Sequence, residues 1–169
     1  MYTLSETSLK MLKGVHPNLV NFMTELIKIS PWDFKITAGV RTAAEQNLEY
    51  QKGRTAPGSK VTKADGYRLK SNHQVKYDGL GYAADIGVLV KEKVNVSVME
   101  NGKKVEKVIE KNVYKGTWKD FHYYQDIYNT AKNAGLLEKY GIEWGGNCWR
   151  TFKDAPHWQI KGADRVAYK

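Results

Sequence analysis

The sequence has little cysteine and no long apolar run. Its one cysteine, Cys148, rules out an intrachain disulfide, as is usual for a chain made in a reducing cytoplasm. No apolar stretch approaches the ~20 residues that cross a bilayer, and the opening MYTLSETSLK lacks the basic flank and apolar segment of a secretory signal. We therefore expect synthesis in the cytoplasm and no stable insertion into a membrane.

Acidic residues are also few. The chain has 27 Lys and Arg against 18 Asp and Glu, which gives a net charge of +9. Such a surplus attracts polyanions, among them nucleic acids, anionic lipids and the polymers of bacterial cell walls. The basic residues are scattered and no known nucleic-acid-binding motif occurs. The charge thus indicates an anionic partner without identifying it, and we expect no binding to nucleic acid.

What is present is the composition of one globular domain. The 169 residues are 41% hydrophobic and 27% charged, and a chain of this length can bury a core without disulfides. Neither an internal repeat nor a clear linker interrupts it. We expect residues 1–169 to form a single domain with no separate binding module, and a monomer is the default expectation.

The apolar pattern mixes the periods of helices and strands. Apolar residues recur at helical spacing over residues 17–30 and 118–133, and the capping box TAAE at 42–45 opens another helix. Strands are predicted at 33–39, 81–90, 94–114 (a hairpin that turns at Asn101-Gly102), 141–144 and 157–160. We predict an α+β fold, with helices packed around a small antiparallel sheet.

Three residues have the spacing of metal ligands. His73 and Asp85 lie close together in the sequence, and His157 lies far downstream before another predicted strand. A catalytic zinc takes three protein ligands and keeps a fourth position for water, whose pKa it lowers to about 7. Asp154, close to His157, would then accept that water's proton and later return it. The spacing is compatible with a zinc site at the sheet.

Plainer alternatives remain open on spacing alone. An isolated histidine is more often a hydrogen-bonded structural residue, and an aspartate before an apolar run is often a cap. Cys148-Trp149 raises the alternative of a cysteine peptidase, although no helix start favours a thiolate there and His157 follows closely in the sequence. Thiol alkylation would separate the cysteine and metal hypotheses.

Four stretches, in the same order, resemble one family of enzymes. SNH at 71–73 and GYAAD at 81–85 resemble the Ser-x-His…Gly-x-Ala-x-Asp signature of the zinc D-Ala-D-Ala carboxypeptidases and L-alanyl-D-glutamate endopeptidases. WGG at 144–146 with DAPH at 154–157 resembles the family's downstream motif. TAGVRTAAEQ resembles its arginine-bearing stretch, and GRTAPGSKVT resembles the loop before its first metal histidine. The chain is most similar to the single-domain bacteriophage endolysins.

The resemblance implies a role for each matching position. His73, Asp85 and His157 would hold Zn2+, and Asp154 would be the catalytic acid and base. Arg41 would direct its guanidinium group at a substrate carboxylate or at the developing oxyanion, for which arginine suits better than lysine.

Three further positions are candidates for substrate contact under the same resemblance: Gln46, Ser71 and Trp144. The implied substrate is bacterial peptidoglycan, cut between L-Ala and D-Glu of the stem peptide. The implied setting is a phage lysis enzyme that waits in the host cytoplasm and then attacks the cell wall. Two alternatives stay open, a D-Ala-D-Ala carboxypeptidase of the same family and a non-catalytic cationic wall-binding module.

Two features depart from the family pattern. The segment between the first two ligand positions is longer than usual, so residues 74–80 must bulge out, and Asp78 becomes a rival ligand. We favour Asp85 because the residues around it match the motif. The second departure is the long hairpin at 94–114, which we expect to serve substrate choice or wall contact.

Overall fold

Across residues 1–148 and 153–169, which a computed structural model describes, the chain forms a five-stranded antiparallel sheet with helices packed against it. The strands are β1 (Asp33–Ala38), β2 (Ala83–Glu100), β3 (Lys103–Lys115), β4 (Ile142–Trp144) and β5 (His157–Ile160). The helices are α1 (Glu6–Met11), α2 (Pro17–Ile29), α3 (Ala43–Gln51), α4 (Phe121–Asn133), α5 (Leu136–Tyr140) and α6 (Gly145–Cys148), with short 3-10 turns at Trp118–Asp120 and Ala163–Arg165. The predicted α+β class is confirmed.

Strand β2 pairs with three of the other four described strands. Its first residues pair with β5, its next residues pair with β1, and its long outer part pairs with β3. Strand β4 completes the sheet on the far side of β5. In this register Asp85 lies opposite Ala38 of β1 and opposite His157 of β5. Asp85 therefore occupies the centre of the sheet.

Alternation along the strands separates the core from the opposite face. Ala84 and Ile86 of β2 have no exposed surface and belong to the hydrophobic core. Successive side chains of a strand point to opposite faces, so Asp85 points away from that core. On β5 the same alternation places His157 and Gln159 on the face that carries Asp85.

Helices α2 and α4 supply much of the core. Helix α2 begins where the His16 side chain accepts a hydrogen bond from the Asn18 amide, with Pro17 in the first turn. The apolar stripes predicted for these helices face the core. Their buried members are Leu19, Phe22, Met23, Leu26 and Ile27 of α2 with Tyr124, Ile127 and Ala131 of α4. Phe121 and Tyr128, also in the predicted α4 stripe, are partly buried and pack against this core. None of the described helices is long and apolar enough to cross a membrane.

Two parts of the structure differ from the elements expected. The strand predicted at 81–90 and the first arm of the hairpin form one continuous strand, β2, because no glycine or proline interrupts the pattern between them. Helices α1 and α5 were not predicted, since six and five residues are too few to show a clear helical period. Beyond Val90 the β2–β3 ribbon extends from the core, and β3 pairs with β2 alone among the described strands.

Candidate metal centre and active site

His73, Asp85 and His157 come together on the face of the sheet opposite the core. His73 Nε2 and His157 Nδ1 each lie 3.1 Å from Asp85 Oδ1. One ligand atom from each residue lies within 4.8 Å of the others. The two histidines are buried, at 2% and 6% exposure. Two imidazole nitrogens and a carboxylate oxygen at this separation form a donor set that suits zinc.

The sheet positions two of these residues and a loop positions the third. Asp85 and His157 are directly opposite on paired strands. His73 lies in the loop before β2, where its Nδ1 is 2.7 Å from the Gly39 carbonyl oxygen. The carbonyl of His73 accepts a hydrogen bond from the Arg41 amide at 2.9 Å. The histidine is thus fixed at two points to the segment that follows β1.

Each imidazole directs one nitrogen into the cluster. The Gly39 carbonyl can only accept, so His73 Nδ1 carries a hydrogen, and Nε2 is the nitrogen directed at Asp85. His157 Nε2 lies 2.9 Å from Gln159 Oε1, which leaves Nδ1 directed at Asp85. A metal-bound histidine needs this arrangement, with one nitrogen donating outward and the other facing the ion. The residues present therefore fit a zinc ion.

Burial and neighbouring charges shift the pKa values of the cluster. Burial lowers the pKa of His73. Burial also opposes the charged form of His157, but the hydrogen bond to Asp85 and the charges of Asp85 and Asp154 outweigh it and raise that pKa. Burial would raise the pKa of Asp85, yet the two imidazoles beside it hold that pKa well below its usual range. Asp85 is therefore ionised.

Arg41 binds the second oxygen of Asp85. Its Nη2 lies 2.6 Å from Asp85 Oδ2, and its Nη1 donates to Gln46 Oε1 at 3.3 Å. Gln46 is 1% exposed, and its Nε2 donates to the Ala64 carbonyl at 3.1 Å. Gln46 thus holds the guanidinium group in place. Arg41 in turn leaves Asp85 Oδ1 as the oxygen that faces the imidazoles.

Asp154 lies beside the cluster in the turn before β5. Its amide donates to the Gly145 carbonyl at 3.1 Å, and its carbonyl accepts from the His157 amide at 3.2 Å. Burial, followed by the negative charge of Asp85, raises the pKa of the Asp154 carboxyl group to about 6. A carboxyl group with a pKa this near neutrality suits proton transfer.

Ser71 and Trp144 support neighbouring backbone. Ser71 Oγ accepts from the His73 amide at 3.3 Å. Trp144 is 1% exposed, and its indole N–H donates to the Ala155 carbonyl at 2.7 Å. Trp144, a candidate for substrate contact, packs in the core and braces the turn that carries Asp154.

The structure tests Asp78, the rival metal ligand, but not the cysteine-peptidase alternative. The Asp78 carboxylate accepts from the Leu80 amide at 3.1 Å and from the Tyr82 hydroxyl at 2.7 Å. Asp78 is exposed and holds the turn of the insertion, so it does not belong to the cluster. The side chain of Cys148 and residue Trp149, which carried the cysteine-peptidase alternative, lie outside the described residues.

Sequence reasoning missed the residues behind His157. Gln159 Oε1 lies within hydrogen-bond distance of the His157 ring, and it also accepts a hydrogen bond from Asn72 at 3.0 Å. The alternation of β5 could have pointed to Gln159, since it shares a face with His157. Nothing in the local sequence pattern singles out Asn72 or its partner Lys76.

An α+β domain that holds a buried His-Asp-His cluster beside a carboxyl group of raised pKa has the features of a metal-dependent hydrolase. Residues 1–116 match the sequence model of the family described as phage L-alanyl-D-glutamate peptidase, and the chain belongs to that family. The matched range contains His73 and Asp85 and ends before Asp154 and His157.

Two known proteins are similar to this chain. It is 30% identical over 128 residues to the peptidoglycan L-alanyl-D-glutamate endopeptidase CwlK of Bacillus subtilis (strain 168), a match that covers 76% of this chain and 60% of CwlK. The chain therefore spans less than two thirds of that relative. The crystal structure of the L-Ala D-Glu endopeptidase ChiX of Serratia marcescens superposes with a TM-score of 0.57 at 25% identity, covering 95% of this chain and 90% of ChiX.

Proposed function

We propose that this chain is a zinc-dependent endolysin that hydrolyses the L-Ala–D-Glu bond of the peptidoglycan stem peptide. The observation that carries the proposal is the cluster of His73, Asp85 and His157 with Asp154 beside it. Membership of the phage L-alanyl-D-glutamate peptidase family supports the choice of bond. CwlK and ChiX, which are named for the same bond, support it further.

Zn2+ is the proposed cofactor, and His73 Nε2, an oxygen of Asp85 and His157 Nδ1 are its proposed ligands. The bound ion would polarise the scissile carbonyl and lower the pKa of the attacking water. Asp85 is ionised, and each imidazole directs one ring nitrogen at its Oδ1. A bound ion would take the place of any hydrogen on those two nitrogens.

Asp154 is the proposed acid and base. With a pKa of about 6, the carboxyl group is mostly ionised at neutral pH and can accept a proton from the attacking water. The same group then donates that proton to the departing amine of D-Glu. Its backbone is held to Gly145 and His157, which keeps the carboxyl group beside the ligands.

Arg41 is proposed to act on both the ligand set and the substrate. Its side chain is 20% exposed, so part of the guanidinium group reaches the surface of the site while Nη2 holds Asp85. From there it would contact a substrate carboxylate or the developing oxyanion. Gln46, Ser71 and Trp144 are proposed as supports of the site, through the contacts that each makes with neighbouring groups.

The charge of the whole chain suits a wall-directed enzyme. The net charge of +9 would attract the chain to the anionic polymers of the cell wall. We propose that the enzyme waits in the host cytoplasm as one catalytic domain, residues 1–169, and reaches the wall once the membrane is opened.

Metal binding by matched variants tests the proposal. Protein stripped with a chelator should take up one zinc ion per chain and regain hydrolysis of peptidoglycan. His157→Ala should lose zinc binding, whereas Asp154→Asn should keep zinc and lose hydrolysis. His122→Ala is the control, because His122 is exposed and its ring lies near the Lys119 carbonyl, away from the cluster. Full hydrolysis by the zinc-free protein would contradict the proposal.

A further inference from the structure

His157 is backed by buried polar side chains that end at a lysine. Gln159 Oε1 accepts from His157 Nε2 at 2.9 Å and from Asn72 Nδ2 at 3.0 Å. Asn72 Oδ1 accepts from Lys76 Nζ at 2.8 Å. Gln159, Asn72 and Lys76 are 1%, 8% and 0% exposed. We call these three residues the amide relay; none of them is a proposed metal ligand or proton-transfer group.

The orientation of the Asn72 amide is fixed by its neighbours. An ammonium group can only donate, so Asn72 must present its oxygen to Lys76. The Tyr168 hydroxyl donates to the same oxygen at 3.1 Å. On the other side, Asp164 Oδ1 accepts from Asn72 Nδ2 at 2.7 Å. A flipped Asn72 would face the ammonium with its NH2 group and the Asp164 carboxylate with its oxygen.

The orientation of the Gln159 amide follows from the same logic. Its Nε2 donates to Glu143 Oε1 at 2.6 Å, and a carboxylate oxygen can only accept. Its oxygen therefore faces the Asn72 NH2 group and the His157 ring. Since Gln159 Oε1 must accept there, His157 Nε2 must carry the hydrogen. In the neutral imidazole, the form that binds a metal, His157 Nδ1 is then the nitrogen with the lone pair, and it is the one that faces Asp85.

Lys76, the charged member of the amide relay, lies in the insertion at 74–80. Lys76 Nζ lies 3.4 Å from the centroid of the Tyr168 ring, a cation–π contact that supports a buried ammonium group. The backbone of the insertion is tied to the same terminal segment, because the Tyr77 amide donates to the Ala167 carbonyl at 3.0 Å. The extra residues between the first two ligand positions thus have a structural use close to the site.

We propose that Gln159, oriented by Asn72 and Lys76, is a positioning residue that holds His157 with its hydrogen on Nε2 and its Nδ1 towards the metal. The inference rests on the proposed zinc site. It assigns a role to the insertion at 74–80, which neither the family match nor the two relatives explain. Partners of metal-bound histidines of this kind typically change metal affinity by about 10- to 100-fold when they are removed.

Zinc affinity, measured by competition with a chelator, tests the proposal. Gln159→Met keeps the volume and removes the acceptor, so zinc binding should weaken by about 10- to 100-fold. Gln159→Glu keeps an acceptor for His157 but would set its carboxylate against that of Glu143, so it is combined with Glu143→Gln, and this double variant should bind zinc more tightly than Gln159→Met. Lys76→Met should also weaken zinc binding, although Lys76 touches no ligand. Lys70→Met is its control, because Lys70 also lies near the Tyr168 ring but donates to the Lys169 carbonyl.

The wild-type protein provides a second test that needs no variant. A long-range 1H–15N spectrum of the zinc-loaded protein should show the His157 hydrogen on Nε2 and the metal on Nδ1. The reverse assignment would overturn the proposal even if the variants failed to fold. Wild-type zinc affinity in folded Gln159→Met and Lys76→Met would overturn it as well, while the zinc site itself would stand. A wild-type protein that binds no zinc would overturn the proposed function together with this inference.

Discussion

Asp85 uses its two carboxylate oxygens for different neighbours. Oδ1 faces the two imidazoles at 3.1 Å, and Oδ2 is bound by Arg41 at 2.6 Å. Arg41 also reaches Gln46, which a lysine in its place could not do at the same time, because one ammonium group lacks the forked geometry of the guanidinium. The guanidinium group therefore selects which oxygen faces the proposed metal.

Arg41→Lys should reduce kcat/KM by about 10- to 100-fold, as typically follows when the partner of a metal ligand is altered. Zinc affinity should fall as well, because Asp85 loses the contact that orients it. The measurement is hydrolysis of a soluble stem peptide together with zinc competition. Arg68→Lys, at an exposed position outside the site, serves as the control. Wild-type values for Arg41→Lys would contradict this role.

Lys76 should make the stability of the folded chain depend on pH. Burial lowers its pKa from 10.5 to about 8, against the charge of Asp164. Between these values the unfolded chain binds more protons than the folded chain, so the free energy of unfolding should rise with pH, by at most about 1.4 kcal/mol per unit.

Urea unfolding of the zinc-free protein at several pH values, with Lys76→Met as the reference, isolates the effect of this lysine. The stability of the wild type relative to Lys76→Met should be nearly flat below pH ~7 and should increase between pH ~8 and ~10. A difference that stays constant over that range would show that Lys76 keeps an ordinary pKa when folded, and one that decreases would show that its pKa is raised.

The cluster of proposed ligands could be predicted from the sequence, whereas the residues that support it could not. His73, Asp85 and His157 have few alternatives, since the chain has four histidines and the motif around Asp85 is specific. Asn72 and Lys76 act through the fold, because Asn72 meets Gln159 across 87 positions of sequence. No local spacing rule reports a contact of that range. For Trp144, the family resemblance implied substrate contact, and the place of the residue on β4 buries its ring in the core.

At the scale of elements, the end of β1 links helix α1 to the site. A Cβ atom at Gly39 would lie 1.9 Å from the Met11 carbonyl oxygen and 3.2 Å from Val15 Cγ2. The Gly39 carbonyl is also the partner of His73 Nδ1. The close approach of the backbone therefore sets the position of a proposed ligand, and a side chain at 39 would push the two segments apart.

Gly39→Ala should lower the free energy of unfolding by about 1–3 kcal/mol, the usual range for overpacking a buried site. It should also weaken zinc binding, because the carbonyl that holds His73 must move. Chemical denaturation and zinc competition measure the two effects. Thr37→Ala, an exposed position on the same strand, should change stability by less than about 1 kcal/mol. Equal stability of both variants would show that the contact at Gly39 relaxes freely.

The outer part of the β2–β3 ribbon should be dispensable for the chemistry. Val94 pairs with Ile109 and lies an even number of positions from the Glu100–Lys103 pair that flanks the present turn. Residues 95–108 can therefore be replaced by Asn-Gly without changing the register of the remaining pairs. A two-stranded ribbon is marginally stable by itself, and we expect zinc binding and hydrolysis of a soluble stem peptide to be unchanged. Hydrolysis of insoluble peptidoglycan should decrease if the ribbon contacts the wall. Loss of soluble-peptide hydrolysis would instead make the ribbon part of the active site.

The elements themselves were predictable where they are long and periodic. Helix α2 lies close to its predicted range because a complete apolar stripe and Pro17 define it. Short helix α5 was not predicted, since it depends on Gly135 and Gly141 in left-handed conformations at its two ends. The register that sets Asp85 opposite His157 depends on long-range pairing, which the local pattern does not encode.

For the whole molecule, fold, charge and family point to one activity. The sheet separates a buried core from a face that carries the proposed ligands, and the net charge of +9 favours an anionic target. The chain belongs to the phage L-alanyl-D-glutamate peptidase family. The central claim is therefore that this chain cuts the bond between L-Ala and D-Glu with a metal held by His73, Asp85 and His157.

The most direct test is to identify the new amino termini released from purified peptidoglycan. The wild-type protein would be compared before and after treatment with a chelator, after addition of zinc, and with Asp154→Ala. We predict new N-terminal glutamate that the chelator abolishes and zinc restores, with no release by Asp154→Ala. Free D-Ala in place of N-terminal glutamate would contradict the proposed bond and favour the carboxypeptidase alternative. No release by zinc-loaded protein would contradict the proposed activity and favour a wall-binding module.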